Sequence, residues 1–230
     1  MATSVPPSGQ HVSPFMAHGE TTREKLLDAA AQLFAEHGVD NVSIAEIVRR
    51  SGQRNASAVH YHFGSRSDVL LAVLARHVPD LARLRQELLD RARRSPPDDR
   101  MAVVAAIVQP VTELARMGWR QRAYLQIGSE LTGALERTTP EIRELMDRTA
   151  GPAAWDLFRR RCPEVPGELW EERQRICVNF VGRAAADRAR ARARGDHLPL
   201  GDDAFVENLE QMVLAAMTAP PRRSAPLPSP

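Results

Sequence analysis

Ser43 and Ser65 are each followed three residues later by an acid, Glu46 and Asp68, and this double signature constrains the fold more than any other feature. A serine paired with an acid at the third helical position satisfies two orphan N–H groups reciprocally, so each pair marks a helix start. Val42 and Ile47 flank the first start as the two halves of a hydrophobic staple, and Ile44, Ile47 and Val48 supply its buried face. Ser51-Gly52 ends that helix. Gln53-Arg54-Asn55 then reads as a polar turn, followed by a short helix holding Ala58 to Phe63 and stopped by Gly64. Upstream, Thr21 with Glu24 forms a third capping pair. It predicts a helix from Thr21 with Leu26, Ala30, Leu33 and Phe34 on one face and Gly38 at its end. Two short capped helices across a tight turn, followed by a longer one, read as a helix-turn-helix.

The residue types suit contact with double-stranded DNA. No acid occurs between Glu46 and Asp68, while Arg49, Arg50, Arg54 and Arg66 do. The formal net charge is only +2, so any affinity for phosphate must come from such a local patch. In this motif the second helix enters the major groove with its N-terminal residues on base edges. Ser43, Arg54, Asn55, Ser57, Ala58, His60, Tyr61, His62 and Arg66 are the candidate contacts. Asn55 and Ser57 are small and polar where a side chain must fit against bases. His60, Tyr61 and His62 can donate to phosphate oxygens, and Arg54 in the turn can read a base. Val59 and Phe63 anchor the helix inward. His60-x-His62 is half a metal site without a carboxylate or cysteine nearby, so it reads as phosphate contact or packing, and no cofactor is expected.

Residues 21–74 resemble the DNA-binding domain of the TetR/AcrR family. Thr22-Arg23-Glu24-Lys25-Leu26-Leu27-Asp28-Ala29-Ala30 is similar to the family's first helix, and Leu33-Phe34-Ala35-Glu36-His37-Gly38 follows at the expected distance. Val42-Ser43-Ile44-Ala45-Glu46-Ile47 and Ala58-Val59-His60-Tyr61-His62-Phe63-Gly64-Ser65-Arg66 resemble its next two segments. Two departures stand out. His60 occupies the family's usual tyrosine position, and the turn Gly52-Gln53-Arg54-Asn55-Ala56-Ser57 is one residue longer than usual. The resemblance implies that Arg66 stands where the family has a phosphate-binding lysine. It also implies a larger C-terminal domain that dimerises through its last two helices and holds a ligand pocket among the middle ones.

The expected fold is all-α: a helix-turn-helix domain at 20–66 and a larger helical ligand-binding and dimerisation domain at 67–218, between a disordered arm at 1–19 and a proline-rich tail at 219–230. A fourth helix from Ser65 to about Arg94 carries Leu70, Leu74, His77, Leu81, Leu84 and Leu88 at helical spacing. Pro79 should kink it, making it a bent lever between the two domains. Helices follow near 98–118, 121–136, 140–161, 167–194 and 203–218, with kinks at Pro110 and Gly151-Pro152, a start at Thr139-Pro140 and Asp202 as the last N-cap. His77, Leu81, Leu84, Met101, Met117, Trp119, Tyr124, Met146, Trp155 and Phe158 are candidates for lining a pocket or are ordinary core. Leu169, Ile176, Phe180 and Ala184, with Phe205, Leu209, Met212 and Met217, are either core or half of a four-helix dimer bundle. The Arg-Ala run from Arg183 to Arg194 reads as a solvated helix end rather than a second DNA patch.

Composition at 43% hydrophobic and 26% charged is that of an ordinary globular chain, and no stretch approaches the roughly 20 apolar residues of a membrane span. Cys162 and Cys177 match no metal spacing and read as buried free thiols or, alternatively, a redox pair. Residues 1–14 lack the features of a secretory signal, so a cytoplasmic location is expected. A nucleophile–base pair, a phosphate loop and a metal set are all missing from the sequence pattern, which disfavours an enzyme. The expectation is therefore a homodimeric repressor released from a palindromic operator by an unidentified small apolar molecule. The alternative is a regulator or architectural DNA binder without such a ligand.

Overall fold

The computed structural model describes residues 14–53, 57–133 and 139–220, and every regular element among them is helical. The first helix, α1 (Pro14–His37), begins earlier than the Thr21 expected. Residues 14–19 are helical and continuous with α1, and residues 1–13 of the expected arm lie outside the described residues. Gly38, with φ 87°, turns the chain out of α1 into a single 3-10 turn (Val39–Asn41). Then come α2 (Ile44–Arg50), α3 (Ser57–His62) and α4 (Arg66–Ala75). Both serine caps form as expected. The side chains of Ser43 and Ser65 accept from the backbones of Glu46 and Asp68, whose carboxylates accept from the two serine N–H groups in return.

The single bent helix expected over 65–94 is two helices. α4 ends at Ala75, and α5 (Val78–Arg94) restarts after Arg76 and His77 with Pro79 in its first turn. A proline ring clashes with the carbonyl four residues back, here that of Ala75, so the chain breaks where a kink was expected. Pro110 behaves differently, lying inside a continuous α6 (Arg100–Met117). The freed carbonyl of Ala106 is taken by Nε of Arg85 at 3.3 Å. α7 (Trp119–Gly133) follows. The helix expected at 140–161 divides into α8 (Pro140–Asp147), capped by Thr139, and α9 (Gly151–Arg161). Ala150 stands between them at φ 57°, a left-handed conformation that costs a non-glycine residue about 1–2 kcal/mol. α10 (Gly167–Ala193) and α11 (Asp202–Thr218) complete the chain. Gly201, not Asp202, caps α11. The Asp202 carboxylate is drawn to Arg188 at 3.0 Å and to Arg192 instead.

Burial explains the arrangement. One apolar cluster joins Leu26, Phe34, Ile47, Val59 and Leu74 of α1–α4 to Tyr124 and Ile127 of α7 and Ala185 of α10. The head is thus packed continuously onto the helices that follow it. A second cluster gathers α5, α6, α9, α10 and α11 around Phe158, Trp155 and Trp170. Trp170 meets Phe158 edge-on with ring centroids 5.4 Å apart. Cys162 and Cys177 lie buried in it as free thiols, and burial pushes the Cys177 thiol up to about 11.

The proposed interface residues separate into three groups. Leu209 and Met217 are buried in the chain's own second core, while Ile176 and Met212 remain 52% and 46% exposed. Leu169, Phe180, Ala184 and Phe205 are half-buried against the core. Leu209 therefore belongs to the fold, and its truncation to Ala should cost about 2–5 kcal/mol. Chemical denaturation of Leu209→Ala should show a lower midpoint at an unchanged slope. Leu209→Glu should fail to fold where Met212→Glu folds, and a stable, folded Leu209→Glu monomer would contradict this placement.

Candidate nucleic-acid interface and adjoining cavity

The capped starts of α2 and α4 hold α3 between them, and Val59, fully buried, pins α3 to the head's core. This orientation turns Tyr61 outward. It is 82% exposed, the most exposed large apolar side chain among the described residues. Tyr61 meets His62 edge-on at 5.0 Å, a rigid aromatic pair on the outer face. Ser57 and His60 are exposed beside it, as are Arg49 and Arg50 on α2. Arg50 is loosely paired with Glu36 at 3.5 Å.

Three expected contacts take geometries that the sequence did not indicate. His60 Nδ1 lies 2.8 Å from the Gly64 carbonyl. A carbonyl only accepts, so Nδ1 carries the proton, and in the neutral ring Nε2 is left as an acceptor. His60 is thereby suited to accept from a base amino group rather than to donate to a phosphate. Ser43 Oγ is committed to its cap, 2.7 Å from the Glu46 carboxylate. The cap's hydrogen bonds hold the Glu46 pKa below its ordinary value. Arg66 turns inward. Its Nε donates to the Val42 carbonyl at 2.6 Å and its guanidinium lies over the Phe34 ring at 5.5 Å. It straps α4 to the staple residue of α2 instead of standing free at the surface. Arg54, Asn55 and the Ala58 side chain lie outside the described residues.

An ionic cluster joins the head to the larger domain where α4 and α5 break. Asp28 on α1 accepts from Arg76 Nη1 at 2.6 Å and from Arg120 of α7 through both Nε and Nη2, at 2.8 and 2.5 Å. Glu24 also pairs with Arg76. Further along the same contact, Val39 N–H donates to Glu130 at 3.0 Å. His77, next to Arg76, is buried with Nδ1 lacking a protein partner, and its ring packs against Tyr124 at a tilt of 58° with centroids 5.5 Å apart.

Tyr124 is also part of the wall of a cavity of about 310 Å³ formed by α5–α10. Leu81, Met146 and Trp155, expected as pocket residues, line it too. The remaining expected lining residues lie elsewhere. Leu84 faces a separate polar cleft against α11. Met101 packs on the second core and Phe158 is buried inside it. Trp119 carries Arg120 over its ring at 4.9 Å, and Met117 is 46% exposed. Sequence reasoning missed Arg85, which reaches the same cavity from α5. An arginine on the apolar face of an amphipathic helix, four residues after Leu81, was the available signal.

The chain's N-terminal part matches the family model described as "Bacterial regulatory proteins, tetR family" over residues 26–73, the span that builds α1 through α4. Over that span the chain is similar to the TetR family. It is 39% identical over 59 residues to the HTH-type transcriptional regulator SrpR of Pseudomonas putida, a stretch covering 26% of this chain and only 27% of SrpR. It is 28% identical over 158 residues to the HTH-type transcriptional repressor BepR of Brucella suis, covering 68% of this chain and 72% of BepR. The fold matches that of the fatty acid degradation regulator FadR from Bacillus halodurans with a TM-score of 0.51 at 15% identity, over 84% of this chain and 94% of FadR. No helix among the described residues is long and apolar enough to cross a membrane.

His77 makes the junction sensitive to acid. Burial, and then Arg76, lower its pKa from 6.5 to about 4. The unfolded state binds this proton first, so the His77 contribution is intact above pH 6.5 and is lost as pH falls towards 4. His77→Phe keeps a ring against Tyr124 and removes the orphan nitrogen. The stability of wild type relative to His77→Phe, followed by thermal melting, should decline across that window. A difference that stays constant from pH 7 to pH 4 would contradict the assignment.

Proposed function

We propose that this chain is a homodimeric transcriptional regulator of the TetR family, acting as a repressor, that binds a palindromic operator through α3 and is released by a small molecule in the α5–α10 cavity. One observation carries this reading. Tyr124 is at once part of the cavity wall and the ring that packs against His77, the residue at the break between the DNA-binding head and the larger domain. A ligand that displaces Tyr124 therefore presses on the α4–α5 joint between the head and the larger domain. The similarity to a repressor, BepR, over two thirds of the chain supports the direction of regulation. The exposed Ile176 and Met212, on neighbouring helices α10 and α11, supply an apolar face for a two-fold partner. Two heads on such a dimer occupy successive major grooves when half-sites are about 34–36 Å apart.

Selection from a random duplex library by the full-length protein should return an inverted repeat with that spacing. Tyr61→Ala should lose roughly tenfold or more in affinity for the selected duplex, a loss of about 1.4 kcal/mol or greater, at an unchanged melting temperature. Arg66→Ala should instead lower the melting temperature, because a charge-assisted hydrogen bond and a ring contact are lost together. Met212→Glu should yield a folded monomer that binds the duplex weakly. Recovery of no preferred sequence, or full affinity in Tyr61→Ala, would overturn the reading of α3.

A further inference from the structure

Arg85 is 6% exposed and belongs to the cavity lining. Its Nε donates to the Ala106 carbonyl at 3.3 Å and its Nη1 to the Thr149 carbonyl at 2.5 Å. Both acceptors are neutral. No carboxylate among the described residues lies within ion-pair distance of it. A guanidinium has five N–H groups, so three are left without a protein acceptor. Burial lowers its pKa to about 10, which leaves it charged at neutral pH. A buried, uncompensated cation is costly to a fold unless an anion joins it.

The rest of the wall describes the anion's other end. Leu81, Val111, Leu125, Met146, Trp155 and Val178 give an apolar surface, and Ser129, Gln174 and one carboxylate, Asp156, which makes no ion pair with Arg85, complete the lining. Tyr124 is pushed by burial up to about 12, so its hydroxyl stays protonated and able to donate. The two neutral carbonyls explain why a hydrogen-bond donor sits at position 85, since Pro110 frees the Ala106 carbonyl and the α8–α9 break exposes that of Thr149. They accept hydrogen bonds but carry no negative charge, so they leave the guanidinium's charge unbalanced.

We propose that the cavity takes an anionic amphipathic effector, an acidic head group on a compact apolar body, with the head group on Arg85 and Tyr124. This rests on the reading of the cavity as an effector site. A carboxylate or sulfonate would accept in pairs from the guanidinium fork, with its body among Leu81, Met146 and Trp155.

The test compares two fluorescent probes that share an aromatic body, 8-anilinonaphthalene-1-sulfonate and the uncharged N-phenyl-1-naphthylamine, titrated against the full-length protein. Arg85→Gln retains a donor and removes the charge. It should weaken the sulfonate roughly tenfold or more and leave the neutral probe within about twofold, as expected for one buried charge pair. Arg85→Lys should retain most of the sulfonate's affinity. Arg85→Met, apolar and of similar length, provides a second uncharged variant should the Gln variant melt below the working temperature. Gly128, in the wall, has open space where a Cβ would stand, so Gly128→Phe should fill the cavity and block both probes. Equal losses of the two probes in Arg85→Gln, or no loss of either, would overturn the anion assignment and leave a site for neutral ligands. Failure of both probes to bind, or binding unchanged in Gly128→Phe, would overturn the effector reading of the cavity as well.

Discussion

Asp28 is the point on which the two halves of the molecule hinge. One half-buried carboxylate on α1 takes a two-pronged hydrogen bond from Arg120 on α7 and a third from Arg76, the residue that follows α4. Ion pairs at a free surface contribute little, but a carboxylate held by two guanidinium groups in fixed geometry has little entropy left to lose. Its consequence is directional. The orientation of α1, and with it the helix-turn-helix, is referred to α7 rather than to the head's own connection through α4. The interlocking apolar cluster from Phe34 to Tyr124 and Ile127 reinforces the same contact. Hydrogen bonding by Asp28 raises the Arg120 pKa, so that side of the pair stays charged at any pH at which the protein is folded.

Two prolines then decide where the molecule can move and where it cannot. Pro79 breaks the connection between head and body at Arg76–His77, leaving two short rigid helices and a joint. Pro110 leaves α6 continuous, because Arg85 replaces the lost backbone donor at Ala106. That replacement brings a charged side chain into the wall of the cavity, of which Tyr124 is also part, and Tyr124 in turn packs against His77. Cavity, ring pair and joint form one contiguous path. The coupling proposed here needs only that the path have two arrangements of differing ligand affinity.

The sequence was most informative where local chemistry decides structure. The Ser43–Glu46 and Ser65–Asp68 caps, the Val42–Ile47 staple and the glycines at 38 and 64 depend on neighbours within a few residues, and each can be read from the letters alone. Side-chain direction was less legible. Arg66 and His60 belong to the right segment, yet Val42 and Gly64 draw them into bonds that spacing cannot reveal. Helix ends were less legible: α1 extends N-terminal to Thr21, and Pro79 breaks the chain where a kink was expected. Of the aromatic and methionine residues expected around a pocket, Tyr124, Met146 and Trp155 reach the cavity, whereas Phe158 is core and Met117 is exposed. Helical periodicity identifies a buried face but not which neighbour that face meets, so core, cavity and interface look alike. The same ambiguity placed Leu209 with Met212, although one is buried in the chain and the other is not.

The central claim is that occupation of the cavity and occupation of the DNA-binding face are linked through the α4–α5 joint and the Asp28 cluster. Linkage is reciprocal, so it can be read from the ligand side. The most direct measurement is the affinity of 8-anilinonaphthalene-1-sulfonate for the full-length protein with and without a saturating selected duplex, in wild type and in Asp28→Asn. The account predicts that the duplex weakens probe binding in wild type by about 5- to 150-fold, the usual range of such couplings, and by much less in Asp28→Asn. Identical probe affinity in the presence and absence of duplex in wild type would contradict it.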